Sequence, residues 1–275
     1  MAIARLRAAG CVFAEEEAAM LASAAGSPAE LDAMVTRRAA GEPVEQVVGW
    51  AEFAGLRVLV DPGVFVPRRR SEFLVETAVL AVRRRGDGVP PVVADLCCGT
   101  GALGLAVAVR LAVGTADGPA PAAAPLGGAW LGGVELHAAD LDPAAVACAR
   151  RNVEPAGGQV HAGDLFAALP GALRGRIGVL ICNAPYVPTT EIAFMPAEAR
   201  DHEALIALDG GTDGLTVLRR AAAAAPPWLT PGGVLLVETS ERQAPAMAAA
   251  MTAAGLTARV HEDDESGATV VTGGT

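Results

Sequence analysis

The stretch Val92-Val93-Ala94-Asp95-Leu96-Cys97-Cys98-Gly99-Thr100-Gly101-Ala102 decides how the rest of the chain is read. Val92 to Leu96 has strand character, and it passes through a glycine turn straight into a helical segment, Ala102 to Leu111. Gly99 and Gly101 let a backbone approach a ligand closely, and the start of the helix offers free N–H groups to a carboxylate or phosphate. Read alone, the same turn also fits a plain strand-to-helix connection. Further strands are expected at Val134 to Ala139, Gln159 to Ala162, Ile177 to Cys182, Val234 to Glu238, Thr257 to Val260 and Ala268 to Thr272. Helical spacing lies between them at Pro143 to Asn152, Leu215 to Ala225 and Arg242 to Ala254. Alternation of this kind predicts an α/β fold, a doubly wound and mostly parallel sheet covered by helices on both faces. The last two strands have no helix between them, so they are expected to pair antiparallel at one edge.

Upstream the pattern changes. Ile3 to Ala9, Glu15 to Ala25 and Pro28 to Ala40 read as short amphipathic helices, the third opened by Ser27 as cap and Pro28 at its first position. Leu56 to Val60 and Val64 to Val66 are extended runs separated by Asp61-Pro62-Gly63, which predicts a hairpin there. Ser71 to Arg85 is helical again. The organisation is therefore a helical domain over 1–45, a β-hairpin linker over 46–70 and a large domain over 71–275. Gly114 to Gly128, with Pro119, Pro121 and Pro125 among small residues, has no apolar face to bury and is expected to be a mobile insertion.

Composition narrows the function classes. The chain has 275 residues, 52% hydrophobic and 19% charged, which is a globular composition with a real core. The most apolar stretch, Ala102 to Val113, is far short of the roughly 20 residues a membrane span needs and contains Arg110. The N-terminus runs into Glu15-Glu16-Glu17 with no secretion signal, so a cytoplasmic location is expected. Five cysteines (Cys11, Cys97, Cys98, Cys148, Cys182) lack any metal spacing and read as reduced thiols, and no metal is expected. Net charge is −10. Residues 1–85 hold 11 Arg and 11 acids, whereas 86–275 hold 10 Arg and 20 acids, and the chain has no lysine. That balance disfavours a nucleic-acid substrate, which is gripped through phosphates by Lys and Arg. Arg68-Arg69-Arg70 and Arg83-Arg84-Arg85 read as solvated faces, with an acidic docking partner as the minor alternative.

In a doubly wound sheet ligands sit at the carboxyl ends of the strands, so those ends carry the chemistry. The second strand ends Ala139-Asp140-Leu141-Asp142-Pro143, an acid where a ribose diol would lie, or else an Asp cap before Pro143. The third is followed by Gly163-Asp164-Leu165-Phe166, a carboxylate for an exocyclic adenine amine with apolar cover for the ring. The fourth ends Cys182-Asn183-Ala184-Pro185-Tyr186. The side-chain carbonyl of Asn183 and the backbone carbonyl of Ala184 can accept both hydrogens of an NH2 group and hold its nitrogen in line for attack. Pro185 fixes φ and removes a competing donor, and Tyr186 offers a flat face. Planar amide and amine nitrogens are the acceptors this chemistry suits.

On these residues the chain resembles the class I S-adenosylmethionine (SAM) methyltransferases, whose motif is Asn/Asp-Pro-Pro-Tyr, and more closely the glutamine N5-methyltransferases of the HemK/PrmC type, of which it would be a divergent member. The resemblance runs through Gly41-Glu42-Pro43, Gly49, Phe53, Gly55-Leu56, Val66-Pro67-Arg68, Gly163-Asp164-Leu165-Phe166, and Ala207-Leu208-Asp209-Gly210-Gly211 with Asp213-Gly214-Leu215, in order. It implies a Rossmann-like methyltransferase domain, a substrate-recognising helical domain and SAM as cofactor. The implied cofactor residues are Asp95, Cys97, Cys98, Gly99, Thr100, Gly101, Asp140, Leu141, Asp164, Leu165 and Asn183, and the catalytic set is Asn183, Ala184, Pro185 and Tyr186. It implies as substrate the Gln of a Gly-Gly-Gln loop in a peptide-chain release factor, met by a monomer. The chain departs from the pattern at Cys97, which replaces a glycine, at Ala184, which replaces the first proline, and at Arg69-Arg70, which replace a Pro-acid pair. Two other classes stay open from the residues alone: a nucleic-acid amino-methyltransferase and a non-catalytic SAM-binding module.

Overall fold

A computed structural model describes residues 1–85, 89–112 and 131–275. Gly114 to Gly128 lies outside the described residues.

Four helices open the chain: α1 (Ala2–Ala8), α2 (Ala14–Ala24), α3 (Pro28–Ala39) and α4 (Val44–Val48). Their apolar faces meet in a core of their own, with Leu6, Leu21, Val35 and Val47 almost fully buried. Ser27 caps α3 as its sequence suggests, accepting from the Glu30 N–H at 3.2 Å, a contact worth about 1 kcal/mol. The short α4 escapes the sequence reading because its five residues span little more than one helical turn. Its Gln46 is buried and ties the helices to the rest of the chain, donating to the Val64 carbonyl at 3.0 Å.

The hairpin sits earlier than the sequence reading places it. Its strands are β1 (Trp50–Phe53) and β2 (Leu56–Leu59), paired antiparallel from Trp50↔Leu59 to Phe53↔Leu56. The link is Ala54-Gly55, both at positive φ (52° and 80°), the geometry of a two-residue turn whose twist matches the strands. Asp61-Pro62-Gly63 does turn, with the Val64 N–H on the Asp61 carbonyl at 3.1 Å. Val64 to Val66 is not a strand, however. The Val66 N–H donates to the buried Glu203 carboxylate at 3.1 Å instead of to a neighbouring strand.

After α5 (Glu72–Arg85) the chain alternates through β3 (Val92–Leu96), α6 (Ala102–Ala112), β4 (Glu135–Asp140), α7 (Pro143–Val153), β5 (Gln159–Ala162) and β6 (Ile177–Cys182). A short α8 (Ala197–His202) precedes α9 (Thr216–Ala224), β7 (Leu229–Thr239), α10 (Ala244–Ala253), β8 (Thr257–Asp263) and β9 (Ala268–Gly274). The strands form one seven-stranded sheet in the order β5-β4-β3-β6-β7-β9-β8. The first five run parallel. The β8–β9 pair is antiparallel at one edge, as expected, and β9 slides between β7 and β8. This threading carries the tip of the β8–β9 hairpin to the carboxyl end of β7, the ligand edge of the sheet.

Strand parity sorts the core. Val93, Val179, Ile181 and Leu236 face α5 and α6, while Val92, Ala94, Leu96, Leu180 and Val237 face α9 and α10. Each face is buried by helices, as a parallel sheet requires.

Candidate active site

A cleft of about 1380 Å³, open mouth included, crosses the carboxyl ends of β3, β4 and β6. Its floor is the β3–α6 turn. Cys97 and Gly99 both stand at positive φ (56° and 55°), the region that favours glycine, so the cysteine carries strain that a glycine would not. Neighbouring strands leave Cys97 beside Cys182. The thiol–thiol hydrogen bond and burial together hold the Cys97 thiol well above its ordinary range, the inert form.

Two aspartates at the end of β4 divide the work. Asp140 accepts from the Gly99 N–H at 2.8 Å through one oxygen and from the Asp142 N–H at 2.9 Å through the other, clamping the glycine turn to the second strand. Burial raises its pKa, and these backbone donors oppose the rise. Asp142 is the helix cap, accepting from the Ala144 N–H at 2.9 Å. The cap is therefore Asp142, which leaves Asp140 on the cleft wall, tied to the glycine turn.

Asp164 follows β5 on the cleft wall and pairs with Arg220 at 2.6 Å. Leu165, Val217 and Phe65 add apolar surface to the walls. At the end of β6, Asn183 is half-buried and its side-chain amide makes no hydrogen bond to any described residue, while Ala184 is buried beside it. The chain beyond is braced from below. Gln243 donates to the carbonyls of Tyr186 and Asp213 at 2.8 and 2.9 Å. A Cβ on Gly214 would lie 2.2 Å from the Tyr186 carbonyl oxygen, so the Asp213-Gly214-Leu215 turn needs glycine to pass under the loop. Tyr186 gives its hydroxyl hydrogen to Glu238 at 2.8 Å and accepts from Arg70 at 2.6 Å. Burial, with the Glu238 carboxylate beside it, holds the phenol well above its ordinary pKa, so it stays protonated.

Of the residues singled out in sequence, Cys97, Cys98, Gly99, Thr100, Asp140, Leu141, Asp164, Leu165, Asn183, Ala184, Pro185 and Tyr186 all line this cleft. Asp95 and Gly101 do not. Asp95 has no exposed surface: it sits under α6 and accepts from the Gly104 N–H at 2.8 Å, leaving its other oxygen without a partner among the described residues. Burial raises its pKa to about 7. Gly101 faces α7, where a Cβ would lie 2.6 Å from Val153. Residues that the sequence reading does not assign to the site also reach the cleft, including Phe65, Arg68, Met195 and Leu208. Arg68 pairs with buried Glu203 at 2.6 Å and lies over the Phe65 ring at 4.9 Å, and Arg70 pairs with Glu238, while Arg69 stays exposed.

The release factor glutamine methyltransferase of Geobacter sulfurreducens is 34% identical to this chain over 253 residues, which is 90% of this chain and 79% of that protein. The chain belongs to the release factor glutamine methyltransferase family. The family's Streptomyces coelicolor enzyme is 37% identical over 210 residues, 76% of this chain and 67% of that one. A 4-amino-L-phenylalanine/4-methylamino-L-phenylalanine methyltransferase of Streptomyces pristinaespiralis is also similar, 35% identical over 80% of this chain and 69% of its own length. No protein-family model matches. Among solved structures, a methyltransferase from Pyrococcus furiosus superimposes with a TM-score of 0.53 at 13% identity, covering 80% of this chain and 89% of that one, a likeness of fold. Membership accounts for the order of the glycine and acid landmarks around the cleft.

Proposed function

We propose that this chain is a SAM-dependent methyltransferase that methylates the side-chain amide nitrogen of a protein glutamine, the Gly-Gly-Gln glutamine of a release factor being the acceptor. The observation that carries the reading is the pairing, in one cleft, of an Asp140-clamped glycine turn with an unengaged Asn183 amide at the end of the next-but-one strand element. The cleft suits the cofactor by its donor set. Asp140 offers carboxylate oxygens for ribose hydroxyls, Asp164 an acceptor for an adenine amine, and Phe65 and Leu165 apolar cover for a ring. When bound, SAM supplies an electrophilic sulfonium methyl group.

The protein's share is orientation. An amide lone pair is delocalised and a poor nucleophile, so its geometry has to be fixed by the site. Asn183 Oδ1 and the Ala184 carbonyl accept the two N–H hydrogens and turn the nitrogen toward the cofactor side of the cleft. Tyr186, locked by Glu238 and Arg70, presents a fixed surface to the amide plane. The methylated amide loses its proton to water, and no strong base is required. The helical domain over 1–45 recognises the protein substrate, the segment 46–70 links it, and 71–275 carries the reaction. The enzyme works as a monomer in the cytoplasm; the excess of acids over 86–275 supports the absence of direct nucleic-acid contact.

A second reading has its own support. The Streptomyces pristinaespiralis relative is named for an aryl amine on a free amino acid, and Arg70 reaches Tyr186 at a position where the glutamine-enzyme pattern has an acid. Incubation with SAM and either a release factor or 4-amino-L-phenylalanine, read by mass spectrometry, separates the two. A gain of one methyl on the Gly-Gly-Gln glutamine supports the first reading. Methylation of the small amine alone overturns it.

A further inference from the structure

Behind Tyr186 lies a second cavity that the reaction just described does not use. It spans about 880 Å³ with its mouth and opens over the ends of β7, β9 and β8. Glu238 and Thr239 form its floor, and Glu241, Glu262, Asp263 and Asp264 stand around it. Among the described residues, Arg70 is its one cationic lining group, and Arg70 is already committed to Glu238 and Tyr186. Arg242 next to Glu241 turns away to Glu191 at 2.9 Å. Five carboxylates thus share one engaged guanidinium.

The floor shows what the cavity lacks. Glu238 is 2% exposed and Thr239 is 4% exposed, yet Glu238 Oε2 and Thr239 Oγ1 have no hydrogen-bond partner among the described residues. A buried carboxylate oxygen without a donor is costly, and a charged donor is its strongest complement. The cavity and the acceptor cleft share Arg70 and Tyr186 as a common wall, so an occupant would sit one aromatic ring away from the group held by Asn183.

We propose that this cavity is a subsite for a cationic side chain, a guanidinium or ammonium group carried by the methyl-accepting protein close in sequence to its glutamine. The proposal rests on the glutamine reading for the source of the cation, and on Glu238, Thr239 and the acidic hairpin tip for its chemistry. Because the tip is the β8–β9 turn, the subsite exists only through the insertion of β9 between β7 and β8.

The first test is binding to the intact protein. N-acetyl-argininamide and its neutral citrulline counterpart are titrated while the backbone amide signals of Thr239, Gly267 and Thr269 are followed by NMR. The arginine probe should give saturable shifts at least tenfold larger than citrulline, and the double variant Glu262→Gln/Asp264→Asn should lose most of them. Equal shifts for both probes, or none, overturn the subsite. The second test is turnover with Gly-Gly-Gln peptides carrying one arginine, or one citrulline, at each position flanking the glutamine. At one position or more, kcat/KM should favour arginine by about tenfold in wild type, and the double variant should bring the arginine peptide down to the citrulline rate. Equal rates at every position overturn the substrate role. Saturable arginine binding with no peptide methylated leaves the cation site standing and refutes the glutamine reading, so the two failures are told apart.

Discussion

The two halves of the sheet's carboxyl edge are built in opposite ways. Over β3, β4 and β5 the site is made of backbone held by acids: Asp140 clamps Gly99 and Asp142, and Asp95 holds Gly104 from beneath. Over β6 and β7 it is made of side chains, with Asn183 unengaged and Tyr186, Arg70 and Glu238 tied to one another. The first half is a preformed mould whose polar groups are largely satisfied before any ligand arrives. The second keeps acceptors open. Under the proposed function, that difference would separate holding the cofactor from orienting the acceptor, and substitutions on the two sides should fail in different ways.

The sharpest break is Asn183→Ala. It should lower kcat by about a hundredfold or more while SAM affinity, measured by calorimetry, stays nearly unchanged, because the lost carbonyl orients the acceptor and not the cofactor. Asn183→Asp keeps the acceptor atoms and should retain more activity than Ala. Single-turnover rates on a glutamine substrate check both, and an Ala variant as fast as wild type removes Asn183 from the mechanism. On the other half, Asp140→Ala should act on binding. Losing its charge-assisted contacts should weaken SAM by roughly 1.5–3 kcal/mol, about 10- to 150-fold, and the unclamped Gly99 turn should add to the loss. Unchanged affinity would place the cofactor elsewhere.

How much of this was legible in sequence follows from the same contrast. Asp140 ends β4, Asn183 directly follows β6 and Asp164 stands two residues beyond β5, so finding the strand ends finds these residues. Asp95 escapes this rule because it lies one residue short of the end of β3, not at the tip. Counting by two from Val93 puts its side chain on the α6 face, a signal present in the sequence. Glu238 stands one residue before the end of β7, yet its partners Arg70 and Tyr186 lie 168 and 52 positions away, which no local pattern reports. The hairpin was misplaced for a related reason. Val64 and Val66 are apolar and extended, but a carboxylate from distant Glu203 satisfies the backbone where a strand was expected.

Asp95 also supplies a test of the moulded half. Its folded pKa of about 7 lies above the ordinary 3.8, so between those values the folded protein keeps a proton that the unfolded chain has released. The stability this group contributes is complete below about pH 4 and is lost as pH rises through 7. Asp95→Asn cannot ionise, so its denaturation midpoint should fall less than that of wild type between pH 5 and pH 8. Parallel pH curves for the two proteins would mean that Asp95 titrates normally.

The smallest effect is expected where the chain departs most visibly from its family's motif. Ala184 stands where the pattern has proline, and the role proposed for it would fall to its carbonyl, which proline keeps. The Ala184 N–H makes no hydrogen bond to any described residue, so proline removes no donor that the fold uses. Ala184→Pro should therefore hold kcat within about threefold of wild type and, by narrowing the unfolded ensemble, raise stability by about 0.4–1 kcal/mol. A tenfold fall in kcat with stability intact would show that Ala184 lets the acceptor half adopt a backbone that proline forbids. The departure would then be part of how this member of the family selects its acceptor.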